Sequence, residues 1–290
     1  MNLKRQKEIF TRLKADYDYL STKYEVLGVF VQGSDNYNLS DDQSDIDTKA
    51  IVIPGLKNFL ESKRTSTTII LNNNAHLDVK DIQIMFECFL KQNINFIEIL
   101  FTPYYILNPK YADLFKLLLV NKESLARYDK KKFYNTVLGD LKSKLKSMTH
   151  IAPHSELDIS LYGYCLKDYH HIYRLDNFMT RYLSGIPYES CLNSYNTEED
   201  RLNLIKLKRE KVCSAEEAVE NAKIIVNKWE IRLTKMIAEY PKDEDREDLK
   251  SNKWIKDLLD EIKYSCVEKK IYIECKNKME RENILDNLYP

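Results

Sequence analysis

Gly33-Ser34 ends the apolar run Val26-Leu-Gly-Val-Phe-Val31, and Asp45 and Asp47 follow one residue apart in SDID. A glycine after a strand lets backbone approach a ligand with no Cβ in the way. The Ser34 hydroxyl and the free amides at the start of a following helix can then bond phosphate oxygens, helped by the helix dipole. On a strand, residues i and i+2 share a face, so Asp45 and Asp47 project together while Ile46 turns to the core. Two carboxylates so close repel unless a hard cation such as Mg²⁺ neutralises them. The pattern therefore predicts a phosphate cradle beside a site for two divalent ions, with Mn²⁺ as a substitute for Mg²⁺.

The elements that must position these groups are legible in outline. Apolar residues at helical spacing (Ile9, Phe10, Leu13, Tyr17, Leu20) predict an amphipathic helix over 3–20. Strands are expected at 26–31, 46–53, 65–71 and 76–80, and a helix over about 81–91. Pro103 and Pro109 mark a boundary. Beyond it, helices are expected at 110–120, 122–129, 130–148, 155–184, 198–211, 214–240 and 251–279, before a short polar tail. The fold class is α+β: a small mixed sheet flanked by helices at 1–106, an α-helical domain at 107–279, and a C-terminal tail at 280–290.

Gly33-Ser34, followed by Asp45-Ile46-Asp47 on the next strand, resembles the signature of the DNA-polymerase-β-like nucleotidyltransferase superfamily. The run VQGSDNYNLSDDQSDIDTKAIVIP resembles its subfamily of predicted nucleotidyltransferases from bacteria and their phages. The resemblance implies that the paired acids ligate both metal ions and that a third acid completes the site and helps activate the attacking hydroxyl. Asp78 in AHLDVKDI matches that position best. Asp81 competes for it, and would otherwise cap the next helix. The implied reaction is in-line attack of a hydroxyl on the α-phosphorus of an NTP or dNTP, releasing pyrophosphate.

In the helical half, Lys167, His171 and Arg174 fall on one face of a helix in KDYHHIYRL, where three potential cations suit a triphosphate. The subfamily shows a similar pattern there. The alternative is a polar stripe paired with Asp168 or Asp176. Lys130–Lys132, Lys142/Lys144/Lys146 and Lys206–Arg209 read as solvated helix faces. Tyr37 and Tyr164 are aromatic groups that could stack on a base.

The architecture also resembles the Hailong-type antiphage nucleotidyltransferases, which extend a single-stranded DNA oligomer from a hydroxyl near their own C-terminus. By that resemblance Tyr289, in DNLYP, is a possible acceptor, the product an oligomer, and the partner an effector protein that senses it. Modification of a target protein, and nucleotide binding without turnover, remain as other readings.

With 45 basic and 45 acidic residues the charge cancels, so no global field draws in nucleic acid or an anionic membrane. Six cysteines without a C-x-x-C pair predict reduced thiols rather than a zinc site. The start lacks the apolar core of a signal peptide, and no stretch is apolar enough to span a bilayer. A cytoplasmic protein is expected.

Overall fold

The computed structural model describes residues 3–71, 75–153 and 155–288, with backbone alone at 244 and 281–288. The chain begins with α1 (Leu3–Ser21) and β1 (Glu25–Gln32), then β2 (Asp47–Ile53), α2 (Leu56–Leu60), β3 (Ser66–Ile70) and β4 (His76–Asp81). Helices α3 (Ile82–Leu90) and α4 (Ile94–Ile97) lead to a short strand, β5 (Tyr105–Leu107). The strands form a mixed five-stranded sheet in the order β3-β4-β2-β1-β5, antiparallel except where β2 lies parallel to β4.

Alternation along the strands sends apolar side chains to both faces. Val29, Val31, Ala50, Val52, Leu77 and Val79 pack on Ile9, Leu13 and Leu20 of α1. On the opposite face Leu27, Phe30, Ile51 and Ile53 join a larger core that continues without a break into the helical half, as far as Trp229 and Cys266. A polar strut crosses the first interface. Asp16 of α1, 5% exposed, accepts from Arg12 and from the Thr48 hydroxyl, both at 2.6 Å, and so ties the start of β2 to α1.

The helical half comprises α5 (Ala112–Val120), α6 (Lys122–Ala126), α7 (Lys130–Ser147), α8 (Glu156–Tyr162), α9 (Leu166–Leu183), α10 (Tyr188–Asn193), α11 (Glu198–Arg209), α12 (Ala215–Ala238), α13 (Glu247–Ser251) and α14 (Lys253–Leu288). The helix expected over 155–184 is broken in two, because Gly163 ends α8 in the left-handed region at φ +83°. The chain expected to leave the last helix at 279 stays helical to Leu288, with no Gly or Pro before Pro290 to stop it. Tyr289 lies outside the described residues. Helix α14 packs back against α2, α3, α5 and β2 of the first half. Among the described residues no helix is long and apolar enough to cross a membrane. All six cysteines are free.

Candidate functional site

Gly33 leaves the end of β1 with φ +76°, a conformation that L side chains resist, and a Cβ there would meet nothing within 4 Å. The glycine is thus required by its backbone rather than by crowding. Antiparallel pairing sets Gln32 opposite Asp47, so the turn opens beside the start of β2. The helix expected after Gly33-Ser34 is a single 3₁₀ turn, Gly33–Asp35, and Asp45 precedes β2 rather than lying on it. So short a turn has little dipole to offer, and charge for an anion must come from elsewhere.

It comes from α9 and α11. A cavity of about 370 Å³ is lined by Gly33, Ser34, Asp45, Asp47, Lys167, His171 and Arg174, together with Tyr37, Asn95, Glu98, Asp158, His170, Lys208 and Arg209. Seven of the eight residues expected at the site from the motif and the helix face thus share one space, the exception being Asp78. Asp168 bonds Lys144 and Ser147, and Asp176 bonds Lys228 and Trp229, so neither neutralises the Lys167–Arg174 stripe. Lys208 and Arg209, expected on a solvated face, line the cavity because α11 packs on α9.

The segment carrying the paired acids is clamped from two sides. Arg5 of α1 bonds both oxygens of Asp35, at 3.0 and 2.9 Å, and donates to the Ser44 carbonyl at 2.8 Å. Arg209 bonds both oxygens of Asp41 at 2.6 Å. Burial opposes ionisation of Asp41, but bonds from Arg209 and Ser44 and the charges of Arg209 and Lys208 outweigh it, holding the carboxyl well below its usual range. Lys208 reaches the Ser44 hydroxyl at 3.2 Å, and burial brings its own pKa down to about 8.

Arg174 is the most consequential side chain. It is 4% exposed, its guanidinium lies over the Tyr37 ring at 4.2 Å, and among the described residues its Nε and Nη1 have no hydrogen-bond partner. A buried guanidinium with unmet donors is costly unless an anion completes it. Glu98, wholly buried, is pushed up to about 8 by burial despite the charge of Arg174 and the Gly33 amide. Its oxygens accept from the Tyr37 hydroxyl and, at 3.4 Å, from Gly33 N. The two histidines are neutral: burial pushes His170 down to about 3, and burial with the Arg174 charge holds His171 well below its usual range. His170 bonds the Leu204 carbonyl through Nδ1 at 2.7 Å, locking α9 to α11.

The third carboxylate does not join the pair. Parallel register puts Lys49 opposite Asp78, and Lys80 follows two residues on, on the same face. Lys80 Nζ lies 2.8 Å from Asp78 Oδ1 and Lys49 Nζ 3.6 Å from Oδ2, and the Thr68 hydroxyl donates at 3.0 Å. Asp78 is therefore neutralised by lysines rather than turned to the cavity. Asp81 is no substitute. It is fully buried and accepts from the amides of Gln83, Ile84 and Thr65, capping α3. Asp47 accepts from the His76 amide at 2.8 Å. The oxygen donors of Asp45 and Asp47 suit Mg²⁺ or Mn²⁺. Among the described residues, however, no group of three or more His, Cys, Asp or Glu side chains is placed to hold a metal ion. The fit is that of a carboxylate pair, not of a closed triad.

Neither tyrosine offers a free face to a base. Tyr37 is covered by Arg174, and Tyr164 is fully buried away from the cavity. Glu98 and His170 were not singled out in the sequence, where the face drawn through KDYHHIYRL took in Lys167, His171 and Arg174. A carboxylate within an apolar run was the signal available.

No family model matches the chain, and no curated protein matches it. Among solved structures, a nucleotidyltransferase-like protein from Exiguobacterium sibiricum is similar to it. That match is 14% identical, with 74% of this chain and 72% of that chain covered and a TM-score of 0.28. A likeness at that score leaves the reading of the site to its own geometry.

Proposed function

We propose that the protein is a nucleotidyltransferase that moves NMP or dNMP from a nucleoside triphosphate to a hydroxyl acceptor with release of pyrophosphate. The observation that carries this reading is Arg174: a buried guanidinium with two unmet donors, on the same cavity as Gly33-Ser34 and the Asp45/Asp47 pair. Arginine donors are suited to phosphate oxygens. Gly33 and Ser34 bind the β- and γ-phosphates, Arg174, Lys167 and Lys208 carry their charge, and neutral His171 offers a hydrogen bond. The chemistry that Mg²⁺ or Mn²⁺ supplies when bound is charge neutralisation at the triphosphate, with Asp45 and Asp47 as its ligands from this chain. The acceptor hydroxyl attacks the α-phosphorus in line, giving up its proton to a carboxylate of the site or to solvent, as the bond to the bridging oxygen breaks and pyrophosphate leaves. Catalysis rests on positioning and electrostatics. Asp78 takes the role of third acid only if it exchanges its lysine partners for the site.

A second reading, nucleotide binding without turnover, is favoured by those same lysines on Asp78. Incubation with each NTP or dNTP and Mg²⁺, followed by pyrophosphate assay and intact mass, separates the two. Pyrophosphate release is expected, with a ladder of added nucleotides for self-primed oligomer synthesis or a single addition for protein modification. No release with any nucleotide, while binding persists, overturns self-primed transfer and leaves either an external acceptor or binding without turnover. Arg174→Gln should weaken triphosphate binding about tenfold to a hundredfold, the range for a hydrogen-bonded charge. Unchanged affinity would remove the reading's main support.

A further inference from the structure

The Tyr37 ring lies between Arg174 of α9 and Glu98, just after α4. Its hydroxyl donates to Glu98, and its face supports the Arg174 guanidinium. The other Glu98 oxygen accepts from Gly33 N. One carboxyl group thus braces both the glycine turn and the platform under the arginine, yet it makes no hydrogen bond to the arginine, whose Nε and Nη1 stay unpartnered.

We propose that Glu98 is a positioning residue of the phosphate site: as a neutral acid it fixes the Tyr37 ring and the Gly33 turn and leaves the Arg174 charge to the ligand. This rests on the reading of the cavity as a phosphate site. A neutral carboxyl suits the place for a simple reason. An ionised Glu98 would compete with a phosphate for Arg174, whereas a protonated one, donating its own proton to the Tyr37 oxygen while still accepting from Gly33 N, keeps both braces and adds no negative charge. Burial pushes Glu98 up to about 8, so at neutral pH the acid form prevails. The groups facing it are Tyr37 from the loop after β1, Arg174 from α9 and Tyr188 from α10, while the charge of Asp140 of α7 acts on Arg174. Tyr188 is held protonated, by burial first and then by its neighbours, so it adds no charge of its own.

Binding of inorganic pyrophosphate with Mg²⁺, titrated from pH 6.5 to 9.5, tests this on the native protein and on Glu98→Gln and Glu98→Ala. A glutamine reproduces the protonated acid: its amide group can face Tyr37 and its oxygen the Gly33 amide. Glu98→Gln should bind like the native protein at pH 7. At pH 9 it should bind about tenfold more tightly, since only about a tenth of Glu98 would then remain in the competent form. Lys208 and the probe itself also titrate, but they do so alike in both proteins, and the ratio of the two affinities cancels them. Glu98→Ala, which loses both braces, should bind at least tenfold more weakly at every pH. A ratio between native and Glu98→Gln that stays flat across the range, or native-like binding by Glu98→Ala, overturns the role of Glu98 alone. Failure of the native protein to bind pyrophosphate at any pH overturns the phosphate-site reading as well.

Discussion

Asp45 and Asp47 differ in what holds them, and this decides how each is tested. Asp45 is exposed and, among the described residues, is held only through its backbone carbonyl, by Arg5. Asp45→Ala should therefore abolish pyrophosphate release at unchanged melting temperature, because removing a repelled surface carboxylate costs the fold little. Asp47 carries the His76 amide on Oδ1, so Asp47→Asn, which keeps that acceptor, is the cleaner substitution. It should lose turnover to the same degree, and full turnover by either variant would remove the pair from the mechanism. Glu98 also has a consequence for stability. Its pKa is about 8 in the folded protein against an ordinary value of 4.5, so the folded state holds a proton that the unfolded chain has released between these limits. Stability attributable to Glu98 is then retained below about 4.5 and declines as pH rises to about 8, by at most about 1.4 kcal/mol per pH unit. Denaturant titrations should show Glu98→Gln gaining on the native protein across that window. Parallel pH profiles would mean that Glu98 is ionised in the fold.

At the scale of elements, the site is a junction of β1, β2, α9 and α11, with α1 bracing from outside. Asp81 illustrates how its supporting parts are set. The side chain accepts from two amides at the start of α3 and from Thr65 N, so it joins the cap of a helix to the start of a strand. Asp81→Ala should cost about 2 kcal/mol, the upper range for a cap lost at a buried site. Transfer per folded molecule should be nearly unchanged. Loss of transfer in a variant of native stability would instead move chemistry to Asp81.

For the whole molecule, the path of the chain's end bears on the acceptor. Helix α14 continues to Leu288, and Glu274 within it accepts from Leu56 N, just past the far end of β2 from Asp47. An extended ten-residue tether is therefore not what carries Tyr289. If this residue is nonetheless the acceptor in a self-primed reaction, Tyr289→Phe should gain no nucleotide mass while binding triphosphate as before. Nucleotide addition to Tyr289→Phe at the native rate would assign the acceptor elsewhere.

Local pattern was enough to single out most residues of the candidate site in this sequence. Gly33-Ser34 and Asp45/Asp47 stand out because close approach of backbone to a ligand and repelling carboxylates need particular residue types, and Lys167, His171 and Arg174 because a helix repeats every 3.6 residues. The strands and most helices were legible for the same reason. Gly163 escaped notice as a break, since a lone glycine in a helical pattern is ambiguous until its φ is known. Whether a charge is solvated, paired or left waiting depends on residues far apart in the chain, and only tertiary structure decides it. Parallel register set Lys49 against Asp78, helix packing turned Lys208 and Arg209 inward, and burial joined Glu98 to Tyr37 and Arg174 across 61 and 76 residues of chain. Desolvation and Coulomb energy act through space, so the states of these groups follow from the fold and not from their neighbours in sequence.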